Sequence, residues 1–168
     1  MANSCGRDQD AVSERITDFY DCMIDGSYKR FFPDYEAYVT RQVLRIKRFY
    51  KGGNVLSVGC GTGDIEARLT MPVVCYDIHD AAKQLHPELD FRYEWPEGQF
   101  DLVLCIGSVL PYVPTEQQQD FISKLIASTS SNGLVLVTGL KNTGHNTDIV
   151  EEHIYRVHYP SHPKIKVI

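Results

Sequence analysis

From Asn54 onward, short apolar runs alternate with segments of helical period. Val55-Leu56-Ser57-Val58 reads as a buried strand, followed by a glycine-rich loop and a helix expected from about Asp64, with Ile65 and Leu69 on one face. Val73-Val74-Cys75-Tyr76 is the next strand and ends on Asp77, and a short helix through Ala81, Ala82 and Leu85 stops at His86-Pro87. Leu89 to Tyr93 is a third, weaker strand, and Phe100 to Ile106 a fourth that is apolar almost throughout. Near-continuous apolar strands separated by helices imply a mostly parallel sheet covered on both faces, an α/β architecture.

Further on, Thr115-x-x-Gln118 has the form of a capping box, and Phe121, Ile122, Leu125, Ile126 and Thr129 fall on one helical stripe. Ser130-Ser131-Asn132-Gly133 breaks that helix, and Leu134 to Thr138 makes a fifth strand. The tail holds an alternating stretch, His153 to Tyr159, and Lys164 to Ile168, either a closing strand or a hairpin. Ahead of the sheet, Val12, Ile16, Phe19, Tyr20 and Met23 share one helical face. Tyr35, Tyr38, Val39, Gln42, Val43, Ile46, Phe49 and Tyr50 share another, across an aromatic-rich loop, 25–33. The expected organisation is one domain over 1–168: an N-terminal helical lid (1–50), a core (53–140) and a short C-terminal strand region (141–168).

Composition narrows the field without naming a function. A chain of 168 residues with 43% hydrophobic and 23% charged residues is long enough for one packed core. The net charge of -5, with no run of Lys and Arg, argues against nucleic-acid or anionic-membrane partners. No apolar stretch approaches the roughly 20 residues that span a bilayer. The start MANSCGRDQD lacks an apolar signal core, so a cytoplasmic location is expected. The cysteines Cys5, Cys22, Cys60, Cys75 and Cys105 form no C-x-x-C pair and read as reduced, packed thiols. His79, His153, His158 and His162 show no metal-ligand spacing, so no metal is expected.

The loop Gly59-Cys60-Gly61-Thr62-Gly63 carries the chemistry. A strand that runs straight into G-x-G-x-G brings bare backbone close to a ligand, where a Cβ would block the turn or the ligand. A dinucleotide fingerprint would require glycine at position 64, and the chain has Asp64. A phosphate loop would require Gly-Lys-Ser/Thr, which does not follow. Asp77, ending the second strand, stands where an acid accepts hydrogen bonds from ribose hydroxyls. A nucleoside without a pyrophosphate fits these features.

VLSVGCGTGDIEARL (Val55 to Leu69) resembles motif I of the class I S-adenosylmethionine-dependent methyltransferases. VVCYDIH (Val73 to His79), FDLVLCIGSVLPYV (Phe100 to Val113) and SNGLVLVTG (Ser131 to Gly139) are similar to the family's later motifs, in order. The resemblance implies a Rossmann-like, doubly wound sheet and S-adenosylmethionine as cofactor. It implies a cofactor set of Gly59, Cys60, Gly61, Gly63, Asp77, Ile78 and the Gly107-Ser108 turn, with Glu94 and Trp95 near the adenine. Phe19-Tyr20-Asp21 and Tyr28 resemble the lid of small-molecule members, where Tyr20 and Tyr28 either reach the cofactor or pack the helix. Most members carry an acid two residues before the first glycine; this chain has Ser57 there.

Methyl transfer needs alignment and exclusion of water more than a fixed catalytic side chain. His145, after the fifth strand, is a candidate general base, and Tyr112 a candidate pocket residue. The segment after the fourth strand lacks the Asn/Asp-Pro-Pro-Tyr/Phe signature of base-directed amino methyltransferases. A small molecule, natural-product intermediate or peptide, methylated at nitrogen or oxygen, is the expected acceptor. The alternative is a catalytically silent, cofactor-binding partner subunit.

Overall fold

The computed structural model describes residues 21–107, 109–138 and 161–168. The strands are β1 (Val55–Val58), β2 (Val73–Tyr76), β3 (Asp90–Arg92), β4 (Phe100–Cys105), β5 (Thr129–Val137) and β6 (Ile165–Val167). They form one sheet in the order β3-β2-β1-β4-β5-β6, every neighbouring pair parallel. The order reverses between β1 and β4, so their carboxyl ends open a crevice between two diverging connections, the usual ligand position in such sheets. All four residues of β1 are buried, because both faces of this central strand are covered.

Alternation along β1 divides the core. Val55 joins Cys75, Leu104 and Ile46 on one face, while Leu56 and Val58 join Val103, Leu125 and Val137 on the other. The first face is covered by α1 (Tyr35–Phe49), whose inward positions Val39, Gln42, Val43 and Ile46 follow the helical period. Asp34 caps α1 by accepting a 2.9 Å hydrogen bond from the Ala37 amide. The short α2 (Ala81–Leu85) adds Ala82 to the same face. The opposite face is covered by α3 (Thr115–Ala127), through Ile122 and Leu125.

The structure departs from the sequence expectations in three places. The helix expected from Asp64 is a single 3-10 turn, Glu66–Arg68. Eight residues, 64–71, separate Gly63 from Pro72, and the chain must travel back along β1 before β2 begins. That return is roughly 13 Å for four strand residues, too far for a helix rising about 1.5 Å per residue with none left for turns. Leu69 is already extended. The capping box is absent: Pro114 is the N-cap, and the Gln118 side chain donates to the Val113 carbonyl at 3.0 Å. The break at 130–133 is an irregularity inside β5, where Phe100 pairs with Thr129 but Leu102 with Leu134. Of the two readings of 164–168, the closing strand is the one formed, parallel to β5 with Val135 opposite Ile165. The expected first helix is seen only at 21–24, and the stretch from His153 to Tyr159 lies outside the described residues.

Candidate functional site

The loop at the end of β1 turns on three glycines with positive φ: 73° at Gly59, 56° at Gly61 and 74° at Gly63. At Gly59 a Cβ would stand 2.4 Å from the Val109 side chain, because the connection after β4 crosses closely there. At Gly61 the nearest atom to such a Cβ is the Met23 methyl, 3.7 Å away, so this backbone faces a flexible side chain rather than packed core.

Asp77 holds the loop in place. Its Oδ2 accepts from the Gly61 amide at 2.8 Å and its Oδ1 from the His79 amide at 3.2 Å, and the residue is 5% exposed. A carboxylate is an acceptor only, so the group that fixes these two amides is also of the type that receives ligand hydroxyls. The loop is also anchored by the Gly59 amide, which donates to the Tyr76 carbonyl at 2.8 Å.

A second carboxylate ties the N-terminal arm across the loop. Asp64 accepts from the Tyr35 hydroxyl at 2.7 Å and meets His86 Nε2 at 2.8 Å and Lys29 Nζ at 3.7 Å. The Tyr28 hydroxyl lies against that of Tyr35, 3.0 Å from Asp64 and 3.2 Å from Thr62 Oγ1. Burial pushes the Asp64 carboxyl up, but bonds from His86, Tyr35 and Tyr28 and the charge of Lys29 outweigh it and hold it at about 2. Burial pushes the Tyr28 phenol up to about 12, so it remains a neutral partner of Asp64. In the sequence Asp64 registered only as a glycine that was missing. The readable signal was the group of hydroxyl-bearing and basic residues at 28–35, whose common target the chain order conceals.

The remaining expected residues divide by location. Gly107 is exposed, with φ 88°, and its amide donates to Thr138 Oγ1 at 3.1 Å. Ile78 is 78% exposed directly after Asp77, and Glu94 is exposed. Trp95 is half-buried; its indole donates to Ser128 Oγ at 2.9 Å, packs edgewise on Phe121 and lies 5.2 Å from the Tyr76 ring. Lys124 Nζ stands 4.2 Å over it. Cys60 is half-buried, and contact with Cys75 together with burial raises its thiol pKa. Tyr112 ends the 3-10 turn Leu110–Tyr112 and is partly exposed. Tyr20, Ser108 and His145 lie outside the described residues.

Sequence reading also missed Glu66, a buried acid bonded to Ser57. A cavity of about 550 Å³ opens at the other edge of the sheet, beside Asn54, Pro72, Val73 and Phe100. It lies at the amino ends of the strands, where the 3-10 turn covers less surface than a helix would.

The chain matches a Burkholderia thailandensis 1,6-didemethyltoxoflavin-N1-methyltransferase structure, bound to 1,6-didemethyltoxoflavin and S-adenosylhomocysteine, with a TM-score of 0.55. That likeness covers 80% of this chain and 64% of that one at 17% identity. The fold is that of the class I methyltransferases. A second structure of this fold, S-adenosylmethionine-bound CalS10, is an amino pentose methyltransferase from Micromonospora echinaspora. It matches with a TM-score of 0.53 at 17% identity, over 66% of this chain and 53% of that one. By sequence, the chain is 29% identical over 138 residues to the mitochondrial ubiquinone biosynthesis O-methyltransferase of Schizosaccharomyces pombe. That match covers 69% of this chain and 49% of the relative, so the chain spans about half the relative's length. No family model matches. The chain thus resembles class I methyltransferases in motif order and in fold. Among the described residues no helix is long and apolar enough to cross a membrane.

Proposed function

We propose that this chain binds S-adenosylmethionine on the Gly59–Gly63 loop and transfers its methyl group to nitrogen or oxygen of a small molecule, natural-product intermediate or peptide. The observation that carries the reading is the positive-φ loop at the end of β1, clamped by Asp77 and presenting Gly61 backbone beneath a flexible methionine. The residues present suit such a ligand, because Asp64, Glu66 and Asp77 give the loop a negative surround and the ligand carries a sulfonium and an ammonium group.

When bound, the sulfonium supplies the chemistry: an acceptor lone pair forms the bond to the methyl carbon as the carbon–sulfur bond breaks and its electron pair stays on sulfur. The protein's part is to hold and orient. Gly61 admits the ligand to backbone range, and Asp77 keeps that amide fixed at the end of β2, where a carboxylate accepts from ribose hydroxyls. Asp64 pins Tyr28 and Tyr35, and with them the arm bearing Met23, over the loop, which excludes water. His145 is proposed as the base that removes the acceptor proton, with Tyr112 lining the acceptor's side.

Titration calorimetry with S-adenosylmethionine tests the reading first; transfer of a labelled methyl group to a panel of amines, phenols and short peptides tests it second. No binding at millimolar ligand would sink it. A catalytically silent partner subunit is a second reading, favoured by the shortened connection between β1 and β2. Binding without turnover on the panel, together with stimulation of another methyltransferase on mixing, supports that reading. A cytoplasmic location is likewise proposed, and fractionation against a mitochondrial marker tests it.

A further inference from the structure

Glu66 opens the 3-10 turn behind the glycine loop and is 4% exposed. Its Oε1 accepts a 2.5 Å hydrogen bond from the Ser57 hydroxyl of β1. Its Oε2 is buried and has no hydrogen-bond partner among the described residues. A carboxylate taken out of water with half of its acceptor capacity unused is one of the more costly placements in a protein. The charged groups felt by it are Asp64 on the loop and Asp77 at the end of β2. Among the described residues, the phenol of Tyr38 on α1 and the Cys60 thiol also feel its charge, while Arg45 on α1 is exposed. Lys29 and His86 are both engaged with Asp64, and no ion pair reaches Glu66 among the described residues. The site therefore holds a buried carboxyl directly behind a ligand loop, with no cation among the described residues to balance its ionised form.

We infer that Glu66 answers the positive charge of the ligand on the glycine loop, supplying from the turn behind the loop the carboxylate that β1 lacks at Ser57. It is a positioning residue: it acts through Ser57 and through its field at the loop, not by touching the reacting atoms. The inference rests on the cofactor reading above. It also accounts for the connector, since a one-turn return brings position 66 back against β1 at Ser57.

Burial, reinforced by Asp64 and Asp77 and opposed by the Ser57 hydrogen bond, raises the Glu66 carboxyl to about 7 without ligand. A cation arriving at the loop favours the ionised form and expels the proton. Ligand affinity therefore rises with pH as Glu66 ionises, and binding near neutrality releases protons.

The test uses the whole chain, with calorimetric titration of S-adenosylmethionine in two buffers of different ionisation enthalpy between about pH 5.5 and pH 7.5. Glu66→Gln keeps the shape and can still accept from Ser57, but removes the charge. The expected result is proton release by the wild type near pH 6.5, absent in Glu66→Gln, with at least about tenfold weaker binding by the variant at pH 7.5. The ligand's own amine titrates equally in both proteins and cancels. The paired exchange Ser57→Asp with Glu66→Ser returns the carboxylate to β1 and is expected to restore affinity. Equal affinity of wild type and Glu66→Gln across the pH range overturns this inference while leaving the cofactor reading intact. Absence of proton release from the wild type overturns it without any variant. Failure of the wild type to bind at all overturns the cofactor reading and this inference together.

Discussion

The Gly61 amide donates a 2.8 Å hydrogen bond to Asp77 Oδ2, joining the loop after β1 to the end of β2 across sixteen residues of chain. Gly61 is also the glycine whose open face meets, among the described residues, only the methyl and sulfur of Met23 within 4 Å. The atom that shapes the loop and the backbone a ligand would approach thus belong to one residue. Asp77→Ala removes the clamp and leaves that amide without its partner. S-adenosylmethionine binding is expected to weaken by roughly 1–3 kcal/mol, the usual cost of an unpaired buried group. Calorimetry on Asp77→Ala and Asp77→Asn checks this, with the asparagine variant intermediate; unchanged affinity in both variants refutes the clamp.

Gly61→Val puts a β-branched side chain at φ 56°, a conformation L-residues adopt at a cost of about 1–2 kcal/mol. It also fills the space beneath Met23. The expected outcome is a folded protein with a lower melting temperature and no detectable cofactor binding. Circular dichroism reports the first and calorimetry the second; retained affinity would show that the ligand does not approach this backbone.

Asp64 has a folded-state pKa of about 2, below its ordinary value of 3.8. Its contribution is therefore present above the ordinary value and lost as pH falls through about 2. Because water reaches part of this carboxylate, the full shift is discounted to about 1–2 kcal/mol. Asp64→Asn should lower the melting temperature at pH 7, and the gap to wild type should close on acidification. His86→Ala should reproduce part of the loss. A gap that stays constant down to pH 2 would count against the ionic clasp.

Glu66 gives the opposite slope in the ligand-free protein. Its pKa is raised from 4.5 to about 7, so its contribution is present below the lower value and is lost as pH rises through the upper one. Glu66→Gln should therefore gain on wild type between those values, by at most about 3 kcal/mol. Thermal melts at pH 5 and pH 8 measure the difference. A variant with the same pH profile as wild type would mean that Glu66 ionises as it does in water.

Periodicity along the chain was enough for most strands, for α1 and for the position of the glycine loop. Val55–Val58, the inward stripe of α1 and the stop of α2 before Pro87 depend on near neighbours, and near neighbours are what a pattern contains. Where a pattern met a length constraint it failed. Ile65 and Leu69 have helical spacing, yet eight residues cannot both form a helix and return to the start of β2. At 130–133 the turn-forming residues were legible, but the pairing of Thr129 with Phe100 kept that segment inside β5, because the ladder on β4 outweighs local preference.

Asp77 could be marked from its place after β2, whereas its hold on Gly61 could not, since that bond exists only once β1 and β2 lie side by side. Asp64 and Glu66 show this most sharply. Each sits within three residues of the last glycine, and each takes its meaning from distant partners: Tyr28, Tyr35 and His86 for one, Ser57 for the other. Hydrophobic order is written locally because burial is decided residue by residue. The pairing of charges waits on the packed sheet, because only there does the loss of water make an unpartnered carboxylate costly enough to matter.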